Sequence, residues 1–110
     1  MATKLNIVID QGTDYLQLAS AKYSNGEAIN LTGYTYESQL RKHHTSNTYY
    51  VMTVTTHNAN AGIVTFSMSR TLTANVPDGR YLYDVEGTSS ANTRTRLFQG
   101  IATITPEITK

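Results

Sequence analysis

The sequence predicts an all-β protein: an antiparallel β-sandwich of about seven strands, built as a single domain over residues 1–110. Apolar and polar residues alternate along several short segments, and turn sequences such as Asn25-Gly26 and Pro77-Asp78-Gly79 separate them. The chain has eight tyrosines and two prolines, a composition typical of strands. Its 110 residues match the usual size of one domain.

The first half of the chain contains three segments with strand periodicity. Residues 4–10 alternate with Leu5, Ile7 and Ile9 on one face, and the glycine in residues 11–13 predicts a bend. Residues 15–23 form the second strand, which ends at an Asn-Gly sequence typical of a hairpin turn. Residues 34–43 then alternate as a long strand, and we expect one of its faces to be in contact with water.

The middle of the chain predicts two more strands and at most one short helical turn near residues 69–75. Both faces of residues 49–55 are fairly apolar, so the periodicity leaves the inward face of this strand open. In residues 63–68, the set Val64, Phe66 and Met68 is the expected core face. Ser69 can cap the helical turn, with Leu72 and Val76 on one side, where a sandwich passes from one sheet to the other.

Residues 76–85 combine a tight turn with a strongly amphipathic strand. Asp78-Gly79-Arg80-Tyr81 is similar to the tyrosine corner of immunoglobulin-like sandwiches, and Tyr83 stands where antibody domains keep a cysteine. We therefore predict an immunoglobulin-like sandwich, with Asp78, Gly79, Tyr81 and Tyr83 as the candidate corner. The alternative is a plain turn followed by an amphipathic strand.

The last strand covers residues 94–105 and ends before Pro106. Strict alternation would turn Phe98, Gly100, Ala102 and Ile104 inward. A bulge at Gly100 would instead bring Leu97 onto the face of Ala102 and Ile104. The sequence leaves both possibilities open.

Composition narrows the classes of function. The net charge of +1, with nine scattered Lys and Arg residues, argues against nucleic acid as a partner. The absence of cysteine fits a protein made in a reducing cytosol and excludes thiolate zinc sites and thiol nucleophiles. We also expect no signal peptide, because the sequence shows no charged and then apolar leader. We expect no membrane contact, because no apolar run approaches the roughly 20 residues of a spanning helix.

Residues that could carry chemistry do not assemble into a recognisable pattern. His43 and His44 are adjacent in a strand and so point to opposite faces, while His57 is expected in a distant loop. Asp84 and Glu86 share a strand face and could act as paired carboxylates in glycoside hydrolysis, but neighbouring arginines favour a salt-bridged surface. Calcium binding by Asp10, Asp14 and Asp78 lacks a dense acidic loop. We therefore expect that the protein is not an enzyme and that it has no metal site or cofactor.

Contact with other proteins is the remaining class of function that the sequence suggests, since aromatic residues and arginines are enriched at interfaces. The candidate interface residues lie in the first strand, at the start of residues 49–55 and in the last strand: Leu5, Ile7, Tyr49, Tyr50, Leu97 and Ile101. The competing interpretation is core packing, which we favour for at least one of the two adjacent tyrosines because adjacent strand residues face opposite ways.

Nearly the whole chain resembles the small immunoglobulin-like virion proteins of tailed bacteriophages, including those of cyanobacterial and other marine phages. The resemblance rests on residues 2–12, on INLTGY at 29–34, on Arg41-Lys42, on PDGRYLYD at 77–84 and on QGIATITPE at 99–107. These are turn and strand signatures and include no catalytic residue.

The resemblance implies a structural virion component of the tail, baseplate or fibre attachment. Such a protein would assemble with other virion proteins, in multiple copies of a symmetric particle, through the strands at residues 4–10 and 94–105. A capsid decoration protein is one alternative. The other is a sandwich that binds a host-surface glycan through exposed tyrosines, although the lack of tryptophan makes this less favoured.

Overall fold

The computed structural model describes residues 3–23, 25–43 and 45–107. This part of the chain is mostly β, as predicted, with nine strands and one short helix. In chain order they are β1 (Thr3–Lys4), β2 (Ile7–Asp10), β3 (Tyr15–Ser20), β4 (Thr35–Arg41), β5 (Tyr50–Val51), β6 (Thr53–Asn58), β7 (Ile63–Met68), α1 (Arg70–Asn75), β8 (Gly79–Thr88) and β9 (Arg94–Thr105). The count exceeds the predicted seven because two predicted strands are each divided in two.

The strands form two sheets that enclose one apolar core. The six-stranded sheet has the order β1-β9-β8-β4-β5, with β2 also paired to β9, and the three-stranded sheet has the order β3-β7-β6. All pairs are antiparallel except that β1 and β2 run parallel to β9. The prediction of a wholly antiparallel sandwich is therefore wrong for the N-terminal segment. Because β2 runs parallel to β9, Gln11 lies at the end of β9, and its N–H donates to Thr105 O at 3.0 Å. From there the chain crosses to β3.

Alternation predicted the core faces of most strands. Val64, Phe66 and Met68 of β7 are buried, and so are Tyr81, Tyr83 and Val85 of β8. The rings of Phe66 and Phe98 approach to 5.2 Å between centroids at nearly a right angle, which joins the two sheets at the centre of the core.

The predicted strand at residues 49–55 is two short strands in different sheets. β5 pairs with β4, whereas β6 pairs with β7. The buried Met52 lies at the crossing, and its N–H donates to Ser38 O at 3.2 Å. Tyr50, Met52 and Val54 are the inward set, because Met52 is buried and the other two are half-buried against the core.

The register between β8 and β9 shows which residues of β9 face inward. Val85 lies opposite Phe98, whereas Glu86 lies opposite Arg96, so the extra residue of the bulge is Leu97. Leu97 and Phe98 are both buried for this reason. Gly100 pairs regularly with Tyr83, so the bulge considered at Gly100 is absent.

Helix α1 connects β7 to β8, at the position predicted for a helical turn. Ser69 is its N-cap, and the Ser69 hydroxyl accepts a hydrogen bond from Leu72 N at 3.3 Å. The buried residue of the helix is Thr73, whose hydroxyl donates to Thr13 O at 2.7 Å. Leu72 is exposed, so the expected pairing of Leu72 with the buried Val76 on one side does not describe the helix.

Candidate functional site

The turn before β8 has the hydrogen bond that defines a tyrosine corner. The Tyr81 hydroxyl donates to Pro77 O at 2.7 Å, while Gly79 adopts a φ of 134° that L side chains rarely take. The Tyr50 ring meets the Tyr81 ring edge-on at 5.9 Å, and the Lys42 ammonium lies 4.6 Å from the centroid of that ring. Asp78 is an exposed residue of the turn. The cluster attaches the backbone of the turn to the core through the hydroxyl and the ring of Tyr81.

A second tyrosine attaches the N-terminal segment to the six-stranded sheet. The Tyr83 hydroxyl donates to Leu5 O, and Leu5 N donates to Gln99 O at 2.9 Å. The Asn6 side chain accepts from Ile101 N at 3.0 Å. Gly100 lies under this crossing, so the chain passes directly over a residue with no side chain.

Burial raises the pKa of Tyr81, of Tyr83 and of a third tyrosine, Tyr15 of β3. Desolvation raises the pKa of Tyr15 to about 12, and the Tyr15 hydroxyl has no hydrogen-bond partner among the described residues. Desolvation likewise raises the pKa of Tyr83, with the charge of Tyr15 as a smaller cause. The pKa of Tyr81 is raised by burial first, and then by Tyr50 and Asp78.

The outer face of the six-stranded sheet carries a shallow, charged groove of about 670 Å³, which we call the sheet groove. The apolar residues Leu82 and Ile101 lie beside its polar ones, which are Lys4, Glu37, Gln39, Arg41, Asp84, Glu86, Arg94, Arg96 and Gln99. Arg94 contacts Glu37 at 2.7 Å and Glu86 at 2.9 Å, while Arg96 lies 3.4 Å from Asp84. Each carboxylate of the groove therefore has an arginine partner.

In the sheet groove, arginine side chains oppose the effect of partial burial on the Asp84 carboxyl. Partial burial raises the pKa of Asp84, and the Glu86 charge adds to this, but Arg96, Arg41 and Arg94 act in the opposite direction. The pKa of Arg94 is raised by its hydrogen bond to Glu37 and by the Glu86 carboxylate. A glycosidase needs one carboxyl kept protonated and one ionised, an arrangement that shared arginine partners disfavour.

Metal binding has no support in the described ranges, which contain no group of three His, Asp or Glu side chains able to hold an ion. His43 is exposed beyond the end of β4, and His44 lies outside the described residues. His57 is also exposed but lies in β6, so the expectation of a loop there is wrong. Asp10 accepts a hydrogen bond from the Thr105 hydroxyl at 2.7 Å, and Asp14 contacts Arg70. These two carboxylates thus contact different protein groups.

One of the two margins of the three-stranded sheet is formed by β3, whose outward residues are Leu16, Leu18 and Ser20; we call it the β3 edge. Leu16 is 73% exposed and Leu18 is 50% exposed. Across the same face, the outward residues of β7 and β6 are uncharged: Ile63, Thr65, Ser67, Thr53 and Thr55. The strand is regular over six residues and contains no lysine, proline or bulge, the features that usually protect an edge.

The interface residues predicted from the sequence do not form one surface. Ile7 and Leu97 are only 4% and 2% exposed, so their assignment as contact residues is wrong, and both are core residues. Leu97 is buried because of the β9 bulge. Leu5 and Ile101 are half-buried near β1, whereas Tyr50 and the exposed Tyr49 lie at the opposite margin of the sheet, with the Arg41 guanidinium 4.8 Å from the Tyr49 ring.

The sequence analysis missed Leu16 and Leu18 as surface residues. The alternation of β3 separates the two leucines from Tyr15, Ala19 and Ala21, which lie on the opposite face and are buried. The leucines are the more hydrophobic set, however, so periodicity alone favours the opposite orientation.

Comparison with known proteins finds similarity of fold only. No protein family model and no curated protein matches the chain. Among solved structures, an internalin-like protein of Listeria monocytogenes superimposes with a TM-score of 0.50 at 14% identity, over 94% of this chain and 28% of that one. A family 123 glycoside hydrolase from Clostridium perfringens gives a TM-score of 0.41 at 14% identity, over 97% of this chain and 24% of that one.

This chain thus spans only about a quarter of the length of each of these two proteins. The described residues include no helix with the length and apolar character required to cross a membrane.

Proposed function

We propose that this chain is a non-enzymatic immunoglobulin-like module that acts through contact with other proteins, as a structural component of a tailed phage virion. The tail, baseplate or fibre attachment is the proposed location, and capsid decoration is the alternative position for the same kind of module. The resemblance of residues 2–12, 77–84 and 99–107 to small virion proteins supports the virion assignment.

Three features support the immunoglobulin-like assignment. The sheet that contains β9, β8 and β4 faces a sheet with the order β3-β7-β6. A short helix joins β7 to β8, and Tyr81 bonds back to Pro77 at the start of β8, where immunoglobulin-like domains have their tyrosine corner. The likeness to part of the internalin-like protein is consistent with this fold.

The β3 edge is the observation that carries the proposal of protein contact. An exposed, regular edge strand with apolar outward side chains is a template on which another strand can add. Soluble proteins usually protect such a margin, since it otherwise promotes aggregation. The exposure of Leu16 and Leu18 on this strand supports the proposal that another chain covers the β3 edge in the working assembly.

The test is incorporation into particles from the source organism. Mass spectrometry and cryo-electron microscopy of purified particles should find the chain in symmetric copies. The Leu16→Lys/Leu18→Lys variant should be depleted from particles, because lysine on an edge strand opposes strand addition. Val51→Lys is the matched control, since Val51 is an exposed apolar residue on the edge strand of the other sheet.

Two outcomes would contradict the proposal. Purified particles that lack the chain would remove the virion role. Normal copy number of the Leu16→Lys/Leu18→Lys variant, which must first be shown to be folded by circular dichroism, would remove the β3 edge from assembly.

The sheet groove favours a second candidate function, the binding of a host-surface glycan. Its carboxylates, guanidinium groups and amides can donate to and accept from sugar hydroxyls. The described residues of the groove include no exposed aromatic ring for stacking on a sugar, which makes this candidate weaker. Titration with host surface polysaccharide distinguishes the two: saturable binding that Asp84→Asn/Arg96→Ala abolishes and Leu18→Lys preserves would establish glycan recognition.

A further inference from the structure

The β3 edge has the symmetry needed to pair with itself. We infer that β3 adds antiparallel to β3 of a second copy of this chain, with Leu18 opposite Leu18 across a two-fold axis. This inference rests on the proposed function in assigning protein contact to the β3 edge, and it names the partner and the register.

The backbone of β3 shows which of its groups are free. Ala21 N donates to Gly62 O at 2.7 Å, and these two residues continue the register in which Ser20 lies opposite Ile63. Groups directed toward a partner strand alternate along an antiparallel ladder. The odd-numbered residues of β3 therefore bond to β7, and the N–H and C=O groups of Leu16, Leu18 and Ser20 point out of the sheet.

The pleat restricts the possible registers. Residues directly opposite in an antiparallel pair lie on the same face of the sheet. The inner face of each copy is covered by its own core, so outward residues must oppose outward residues. In a two-fold pair this condition places the axis at a residue of the strand, because an axis between residues would set an outward side chain opposite an inward one.

The free groups select one of these registers. With the axis at Leu18, Leu18 opposes its counterpart and Leu16 opposes Ser20 in both directions, so all free N–H and C=O groups within β3 are paired. If the axis were at Gln17, the free groups of Ser20 would lie opposite a residue that precedes β3. If it were at Ala19, the free groups of Leu16 would lie opposite a residue that follows β3. The side chain of Gln17 now donates to Leu18 O at 3.1 Å, an exposed contact that the new strand would replace.

The charges beyond the two ends of the strand agree with the same register. Asp14 precedes β3, Lys22 follows it, and both are exposed. With Leu18 at the axis, Asp14 of each copy comes opposite Lys22 of the other, which gives two ion pairs related by the axis. Asp14 already accepts from Arg70 N at 2.8 Å and lies 3.5 Å from the Arg70 guanidinium, but its side chain is 65% exposed and can receive a further cation.

Site-directed cross-linking tests the register directly, because the chain has no cysteine of its own. In the inferred pair the two Leu18 Cα atoms are about 5.5 Å apart. The two Leu16 Cα atoms are separated by about 13 Å along the strand, since Leu16 opposes Ser20 four residues from its counterpart. Leu18→Cys and Leu16→Cys are thus matched variants of exposed leucines on one strand that differ only in distance from the axis.

The measurement is the fraction of covalent dimer formed with a short bifunctional thiol reagent at about 1 mM chain, the effective concentration that neighbouring sites in an assembly reach. We expect Leu18→Cys to give at least about tenfold more dimer than Leu16→Cys. Equal yields, or dimer from Leu16→Cys alone, would overturn the register and with it the inference.

Charge reversal gives a second measurement that is independent of cysteine chemistry. Lys22→Glu should weaken dimerisation in sedimentation experiments by about tenfold, because the introduced carboxylate faces Asp14 of the other copy and two repulsions replace two attractions. Asp14→Lys combined with Lys22→Glu should restore it. Arg70→Ala is the control for the local contact of Asp14, and it should leave dimerisation unchanged. Failure of the double variant to recover, in a protein with an unchanged circular dichroism spectrum, would contradict the ion pairs.

Self-pairing of β3 and the virion function are contradicted by different results. Absence of self-association in the purified protein, combined with loss of the Leu16→Lys/Leu18→Lys variant from particles, would overturn self-pairing and leave protein contact at the β3 edge with a different virion partner. Self-association in solution of a protein that purified particles lack would leave the homodimer intact and overturn the virion function.

Discussion

Three buried tyrosines near one another differ in what their hydroxyl groups contact. Tyr81 bonds to Pro77 O and Tyr83 bonds to Leu5 O, while Tyr15 finds no partner among the described residues. A buried polar group without a partner costs free energy that a satisfied one recovers. Removal of the hydroxyl should therefore have opposite effects on stability at Tyr15 and at Tyr81.

Substitution of Tyr81 by Phe should lower the free energy of unfolding by about 1 kcal/mol, because it removes a hydrogen bond and leaves Pro77 O without its partner. Tyr15→Phe should leave the free energy unchanged or raise it, since only an unpaired hydroxyl is lost. Urea denaturation followed by circular dichroism measures both. Equal losses in the two variants would show that the corner bond has no special role.

Alkaline pH should destabilise the protein through the same side chains. Burial raises the pKa of Tyr15 to about 12, above its unfolded value of 10.0. The folded state therefore favours the neutral phenol, so its contribution is complete below pH 10 and is lost as pH rises from about 10 to 12. Tyr83, whose pKa is raised for the same reason, adds to the effect.

The experiment is a set of urea titrations across this pH window, accompanied by tyrosinate absorbance. Stability should fall steadily above pH 10, and Tyr15→Phe should make the decline shallower. An unchanged slope in that variant would contradict the burial of an ionisable hydroxyl at Tyr15.

Among the elements, the path of the N-terminal segment over β9 depends on one glycine. A Cβ at Gly100 would overlap the carbonyl oxygen of Leu5 and lie 2.8 Å from its carbonyl carbon. Because backbone cannot give way as a flexible side chain can, we expect Gly100→Ala to displace residues 5 and 6 from β9. The core beneath β3, β6 and β7 should remain packed.

Gly100→Ala should cost about 1–3 kcal/mol, the usual range for overpacking. Amide hydrogen exchange should accelerate at Leu5 and Ile101, whose N–H groups bond across this crossing, and not in β7. Gly26→Ala is the control, because its φ of 89° adds backbone strain while nothing lies within 4 Å of the new methyl group. Unaltered exchange at Leu5 and Ile101 would show that the segment tolerates a side chain there.

The sequence predicted those features of the strands and the helix that neighbouring residues determine. The core faces of β7 and β8 follow from alternation, and the Ser69 cap and the glycine turns follow from residue type. The crossing at Met52, the bulge at Leu97 and the parallel pairing of β2 with β9 depend on which distant strand lies alongside. Leu16 and Leu18 were missed for a related reason, since which face of β3 is outward depends on the side that the other sheet covers.

For the whole molecule, the topology closes the chain by joining its two ends. Asn6 and Ile101 are linked by a hydrogen bond across 95 residues of sequence, and β2 pairs with β9 along its length. β8 and β9, in contrast, are neighbours in the chain joined by residues 89–93. Loop closure is costlier for the first contact than for the second, so β2 should dock late in folding.

This order of events predicts different kinetic effects for two fully buried side chains, Ile9 of β2 and Val85 of β8. Ile9→Ala should cost about 2–5 kcal/mol and act mainly by accelerating unfolding, because β2 contributes little to the transition state. Val85→Ala should also slow refolding, since the β8–β9 hairpin forms early. Stopped-flow measurements over a range of urea concentrations separate the two rates, and refolding in milliseconds to seconds is expected for a sandwich with such distant pairings. If Ile9→Ala slows refolding as much as Val85→Ala does, the two ends of the chain meet before the transition state, and the late docking of β2 is wrong.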